Sequence, residues 1–177
     1  MPKKFRLNPK PYEILKMSSL LLLVYSFSFS ITYELDHSLF SYLSIIASTF
    51  FIFGFGYYVR KAFNNMSEEY GLIIKVSPVL FIGQLIYLVS FFLYDISFMS
   101  IVEYIGVILV LAYLLEFSLE ILRLAGEFNL RELKISAYVI LASLLAFVIV
   151  GPIPFSFILT IGSVILYLGI NKILYLK

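Results

Sequence analysis

The sequence predicts an all-α fold: a polytopic transmembrane helical bundle of six spans, arranged as three helical hairpins with both termini cytoplasmic. Three observations carry that expectation. Of the 177 residues, 62% are hydrophobic and only 14% are charged, against about a quarter charged in an average globular chain. Apolar runs near the length of a membrane crossing recur along the chain. All 13 Lys and Arg residues fall on one side of the resulting six-span division. A water-soluble fold of this size could not hide so much apolar surface, because accessible area falls too slowly with mass. Lipid covers what water cannot, so residues 1–177 read as one transmembrane domain.

Residues 1–16 are basic, with Lys3, Lys4, Arg6, Lys10 and Lys16 among apolar Phe5, Leu7, Tyr12, Ile14 and Leu15. This segment is expected to lie along an anionic inner leaflet as a topology anchor, at about 1 kcal/mol per basic group near the surface. A crossing helix then needs about 20 mainly apolar residues. The first span covers residues 17–33. Its basic start resembles a secretory signal peptide, but the apolar run is long and ends Phe29-Ser30-Ile31-Thr32-Tyr33-Glu34, without a pair of small residues for cleavage. It is read as a retained span. After Glu34-Leu35-Asp36-His37-Ser38 the second span covers 39–59. The third covers 72–94 and starts past Lys75, with Pro78 read as a first-turn position where a missing N–H costs little. The fourth covers 96–117, after Tyr94-Asp95-Ile96. The fifth and sixth, 135–150 and 153–170, meet at Gly151-Pro152-Ile153-Pro154. Both are short and are expected either to extend by snorkelling at Lys134 and Lys172 or to sit in a locally thin bilayer. The charged connections are expected to continue as helix beyond the membrane.

Charge placement fixes the orientation. The segments 1–16, 60–75, 118–134 and 171–177 hold every Lys and Arg, and the opposite loops at 34–38, around Asp95 and at 151–152 hold none. Translocating Lys or Arg is disfavoured, so the basic side is expected to be cytoplasmic and the protein a multi-pass component of the cell membrane. Lys in excess of Arg, abundant Ile and Leu, and no Cys suit an A·T-rich prokaryote.

The same composition narrows the chemistry. The absence of Cys excludes disulfides, thiol redox work and thiolate metal sites, and the single histidine, His37, leaves little for zinc or haem. A net charge of +2 is too small to point to nucleic acid. No Walker loop, G-x-S-x-G, H-E-x-x-H or paired intramembrane Asp is present. The chain is therefore expected to have no catalytic residues, cofactor or metal, and not to be an enzyme. Its expected partners are the lipid bilayer and a second copy or a larger membrane complex.

Polar groups at membrane depth are the candidates that remain, because each costs free energy in lipid. Gln84 lies a third to half of the way through the third span and reads as an interhelical hydrogen bond sooner than as a substrate ligand. Glu103 lies near the outer end of the fourth span, eight residues past Asp95. On a continuous helix those carboxylates share a face about 12 Å apart. With Glu34, Asp36 and His37 they form a candidate outer cluster for a cation or a proton, although outer loops also carry acids simply because cations are excluded there. Glu116 and Glu120, at i and i+4, share the inner face of the fourth helix, with Arg123 in reach of Glu120 and with Lys75, Lys134 or Arg60 as partners for Glu116. Glu68-Glu69 and Glu127-Arg131-Glu132 read as solvated linker helix.

Small residues mark expected packing seams: Ser44 with Ser48, Ala142 with Ala146, Gly162 with Gly169, and Gly54-x-Gly56. Tyr12, Tyr57, Tyr58, Tyr94 and Tyr175 fit interfacial aromatic belts. Lys75-Val76-Ser77-Pro78 and Lys134-Ile135-Ser136-Ala137 open spans 59 residues apart after similar charged stretches, so the hairpins are either repeats or share only a Lys-then-apolar start.

The segment Tyr57-Tyr58-Val59-Arg60-Lys61-Ala62-Phe63-Asn64-Asn65-Met66-Ser67-Glu68-Glu69-Tyr70-Gly71, followed by Leu80-Phe81-Ile82-Gly83, resembles a prokaryotic family of small multi-spanning membrane proteins of unknown function. Those proteins place an aromatic–basic–Phe–x–x–Ser–Glu linker before a Gly-containing helix. The resemblance covers about a third of the chain and implies a fold but no chemistry. The expected function is a non-enzymatic accessory, scaffold or self-associating membrane subunit. A small oligomeric transporter or channel is the second expectation and would need Gln84, Glu116 and Glu103 on one path.

Overall fold

A computed structural model of the protein describes residues 8–35, 38–66 and 70–175. These form six helices and, among the described residues, no strand: α1 (Lys10–Glu34), α2 (Leu39–Asn64), α3 (Gly71–Phe92), α4 (Met99–Phe128), α5 (Arg131–Ile149) and α6 (Pro152–Tyr175). Each is long and apolar enough to cross a membrane. The chain is a multi-pass integral membrane protein with the predicted all-α architecture.

The helices outrun the apolar runs at the basic end. α2 continues to Asn64 and α4 to Phe128, because the charged linkers keep helical propensity once they leave lipid. α1 begins at Lys10, directly after Pro9. Residues 10–16 are thus the first turns of the spanning helix and not a separate surface segment, and residues 1–7 lie outside the described residues.

Local chemistry sets each turn. The Ser38 hydroxyl accepts from the Ser41 amide at 3.3 Å and so caps α2. Asn129 ends α4 in the left-handed region at φ 51°, a conformation its short amide tolerates. The Leu130 amide then donates to the Ala125 carbonyl at 3.1 Å, closing the helix end before α5 starts at Arg131. Gly151 holds φ 119°, which a side chain would resist, and Pro152 begins α6 with its φ already set. Pro78 lies inside α3, well past the first turn where it was expected. It cannot donate to the Ile74 carbonyl, and the Ser77 hydroxyl does so instead at 2.8 Å. That substitution lets the helix continue.

Each helix packs against its neighbours in the chain, and α6 returns to α1, so the three hairpins close into a ring. Glycines bring the paired helices within two of the hairpins close together. A Cβ on Gly106 would lie 2.6 Å from the Tyr87 amide nitrogen and 2.8 Å from the Gly83 carbonyl oxygen. The expected seam at Gly162 and Gly169 faces α5, where added Cβ atoms would meet Ile140 Cγ1 at 2.9 Å and Leu133 Cδ2 at 2.8 Å. Ser44 donates to the Ser28 carbonyl of α1 at 2.5 Å. Ala142, read as a seam, instead faces outward, because α5 turns Ala137, Ile140 and Ser143 inward.

Large aromatic side chains fill the ring. Tyr25, Phe29, Phe55, Tyr87, Tyr113 and Phe117 are among the largest fully buried groups. Tyr12 also belongs to this core and not to an interfacial belt, with its ring edge-on to Phe128 at 5.5 Å. Tyr57, Tyr94 and Tyr175 remain exposed, as a belt requires.

Candidate functional site

Gln84 sits on α3 and is completely buried. Its Nε2 donates to Thr49 Oγ1 of α2 at 3.0 Å, and Thr49 Oγ1 donates in turn to the Ile45 carbonyl at 2.8 Å. The hydroxyl proton of Thr49 is thus committed to its own helix, which leaves its lone pairs to accept the amide. Gln84 Oε1 has no hydrogen-bond partner among the described residues.

One turn further along α3, the Tyr87 hydroxyl is likewise buried, beside the Tyr33 hydroxyl of α1. Both groups border a cavity of about 10 Å³ shared with Tyr25, Phe29, Val107 and Phe155. A volume near 10–15 Å³ is about the least that admits one water molecule. Phe29 closes it from α1, its ring 5.7 Å from that of Tyr87 and 5.6 Å from that of Phe155. Glu103 accepts a hydrogen bond from the Tyr33 hydroxyl at 3.1 Å, joining α4 to α1 near the end opposite the basic one.

Glu116 and Glu120 lie elsewhere. The cavity reaches α4 at Val107, Val110 and Leu111 and stops there. Beyond it Phe55 of α2 meets Tyr113 and Phe117 of α4 edge-on, at 6.1 and 5.0 Å. Glu116 is half-buried and level with these rings, between Tyr113 and Phe117 in α4, and Glu120 is buried beyond Phe117. No ion pair joins Glu116 to Lys75, Lys134 or Arg60, the partners it was expected to find. Gln84 and Glu103 therefore lie on one side of an aromatic layer and Glu120 on the other, with Glu116 at the level of the layer itself.

Asp95 and Glu103, two members of the candidate outer cluster, do not share one continuous helix. α4 starts only at Met99, so Asp95 stands in the preceding turn and the two-turn helical spacing to Glu103 does not apply. Asp36 and His37 lie outside the described residues. Among the described residues no group of three or more acidic or histidine side chains is placed to hold a metal ion.

The basic end is more organised than a solvated linker. The buried Tyr70 hydroxyl donates to Glu127 Oε1 at 2.6 Å, its ring packs on Phe63 at 4.9 Å, and the Arg123 guanidinium lies over it at 5.1 Å. Burial, and then the Glu127 carboxylate, push the Tyr70 phenol well above its ordinary range. Lys172 of α6 pairs with Glu132 of α5, while Lys16 of α1 donates to Asn171 Oδ1 at 2.7 Å and lies 4.7 Å over the Tyr167 ring. Glu127 and Glu132 therefore brace helices, and Glu68 and Glu69 lie outside the described residues.

Sequence reasoning missed Thr49, Tyr33 and Tyr87. Hydroxyl side chains scattered through apolar spans carry no spacing signal, and most of those here return to their own helix, as Ser48 does to Ile45 and Ser163 to Leu159. No protein-family model, curated protein or solved structure matches this chain.

Proposed function

We propose that the protein is a non-enzymatic membrane subunit, an accessory, scaffold or self-associating element of the cell membrane, with both termini in the cytoplasm. The observation that carries this reading is the filled ring. Gln84 and Glu103 are separated from Glu120 by the Phe55, Tyr113 and Phe117 rings, and the space beside Gln84 amounts to about 10 Å³. A conduit for a solute or cation would need these polar groups on one connected path. Here Gln84 instead bonds the neighbouring α2, and Glu103 bonds α1 across the ring. The orientation rests on the 13 cationic residues, all on one side of the six-span division.

Purification from native membranes in mild detergent tests the reading. The chain is expected in a fixed stoichiometric ratio with another membrane protein or with itself, independent of detergent. Recovery as a lone monomer that moves ions or solutes in liposomes would sink it.

A further inference from the structure

Between the end of α4 and the start of α5 the outer surface carries a notch of about 430 Å³, within the range of small-molecule sites. Its walls are Leu122, Gly126 and Asn129 on α4, and Arg131, Lys134 and Tyr138 on α5. The helices run antiparallel, so the notch is graded along its length. Asn129, Arg131 and Lys134 crowd the shallow end at the turn. Leu122 and Tyr138 form the deep end. At the helical rise, Lys134 lies about 4.5 Å and Tyr138 about 10.5 Å deeper than Arg131.

The charges at the shallow end have no carboxylate bonded to them among the described residues, although Glu132, next in sequence to Arg131, lies within its Coulombic reach. No carboxylate lines the notch. The two carboxylates nearest in sequence are engaged away from it, Glu127 with Tyr70 and Glu132 with Lys172. Arg131 and Lys134 form no ion pair among the described residues. They also lie on one helix face, three residues apart, so both reach one anion. Gly126 leaves the wall open, since a Cβ there would meet nothing within 4 Å.

We propose that this notch binds an anionic phospholipid. The phosphate lies between Arg131 and Lys134 with the Asn129 amide as a further donor, and the glycerol and first acyl carbons pass over Gly126 between Leu122 and Tyr138. The apolar deep half favours a lipid over free phosphate, because a lipid seated there holds its own phosphate at the depth of Arg131 and Lys134, whereas free phosphate gains nothing from Leu122 and Tyr138. The net negative headgroup is selected over a zwitterionic one, whose cationic end would be repelled by Arg131 and Lys134. The site is independent of the scaffold reading.

Native mass spectrometry of the full chain in mild detergent, titrated with phosphatidylglycerol or phosphatidylcholine of identical acyl chains, tests the proposal. Wild type should retain phosphatidylglycerol at concentrations where it releases phosphatidylcholine. Arg131→Gln with Lys134→Gln should weaken phosphatidylglycerol about thirtyfold, about fivefold per lost cation, and erase the preference. Gly126→Leu keeps both cations but fills the notch, and should also lose the lipid while elution volume and helicity stay unchanged. Undiminished binding in either variant, equal retention of the two lipids by wild type, or displacement of the lipid by inorganic phosphate would each overturn it.

Discussion

Replacing Gln84 by Leu at the centre of the ring has a consequence for stability that follows from the hydrogen bonds around it. Gln84 makes one side-chain bond, to Thr49 Oγ1 at 3.0 Å. Interhelical bonds of this kind in membranes are worth about 0.6–1.7 kcal/mol. Leu forfeits that bond but strands nothing, since the Thr49 hydroxyl keeps its own bond to the Ile45 carbonyl. It also removes Oε1, a buried acceptor without a partner among the described residues, whose burial costs about 1–3 kcal/mol. The terms oppose, so Gln84→Leu should change stability by less than about 1 kcal/mol in either direction. Thr49→Val acts differently: it removes the acceptor and leaves the Gln84 amide with no partner at either end, at a cost of about 1–3 kcal/mol. Combining the two should return stability close to that of Gln84→Leu, a positive coupling that a double-mutant cycle isolates. The assay is denaturation of the purified chain in mixed micelles, followed by loss of helicity. If Gln84→Leu proves more damaging than Thr49→Val, or the two effects simply add, the assignment of Gln84 as a half-satisfied packing residue is wrong.

Gly106→Ala should destabilise by about 1–3 kcal/mol in the same assay, because the new methyl would lie 2.6 Å from the Tyr87 amide nitrogen and backbone cannot move aside as a side-chain tip can. Tyr70→Phe should cost about 0.5–1.5 kcal/mol at neutral pH through loss of the bond to Glu127. The folded state holds the Tyr70 phenol above its ordinary value, so above about pH 10 the unfolded chain binds fewer protons there and wild-type stability falls. Denaturation across pH should therefore show the Tyr70→Phe variant losing less stability than wild type in that window. The chain contains no Cys, so a thiol introduced by Ser38→Cys should react with an impermeant reagent added outside cells, and one introduced by Asn65→Cys should react only after lysis.

Much of the bundle was legible because lipid imposes length and polarity on every span. Apolar runs gave the number of helices, and Pro and Gly at 151–152 gave the turn into α6. The continuation of helix into the charged connections was legible and is found, but its end points were not, since α4 passes from apolar Phe117 through Glu120 and Arg123 without a break. Gly162 and Gly169 could be read as a seam from their spacing, whereas Gly83 and Gly106 lie on different helices and meet only through the α3–α4 hairpin geometry. Gln84 was legible as a polar residue at depth, and its role as a helix-to-helix bond followed from what such a group costs in lipid. Its partner was not, because Thr49 is one of many hydroxyl residues and only the fold brings it within 3.0 Å. Pro78 misled the reading of α3, since nothing in the pattern shows that Ser77 can take over the Ile74 carbonyl.

The account turns on whether the ring is a packed body or a conduit, and flux into sealed vesicles tests that most directly. The purified chain reconstituted in liposomes under a proton or potassium gradient should leave the gradient decaying at the rate of protein-free vesicles, and Gln84→Leu, Glu103→Gln and Glu116→Gln should leave it equally unaffected. Protein-dependent dissipation that any of these three substitutions abolishes would contradict the account.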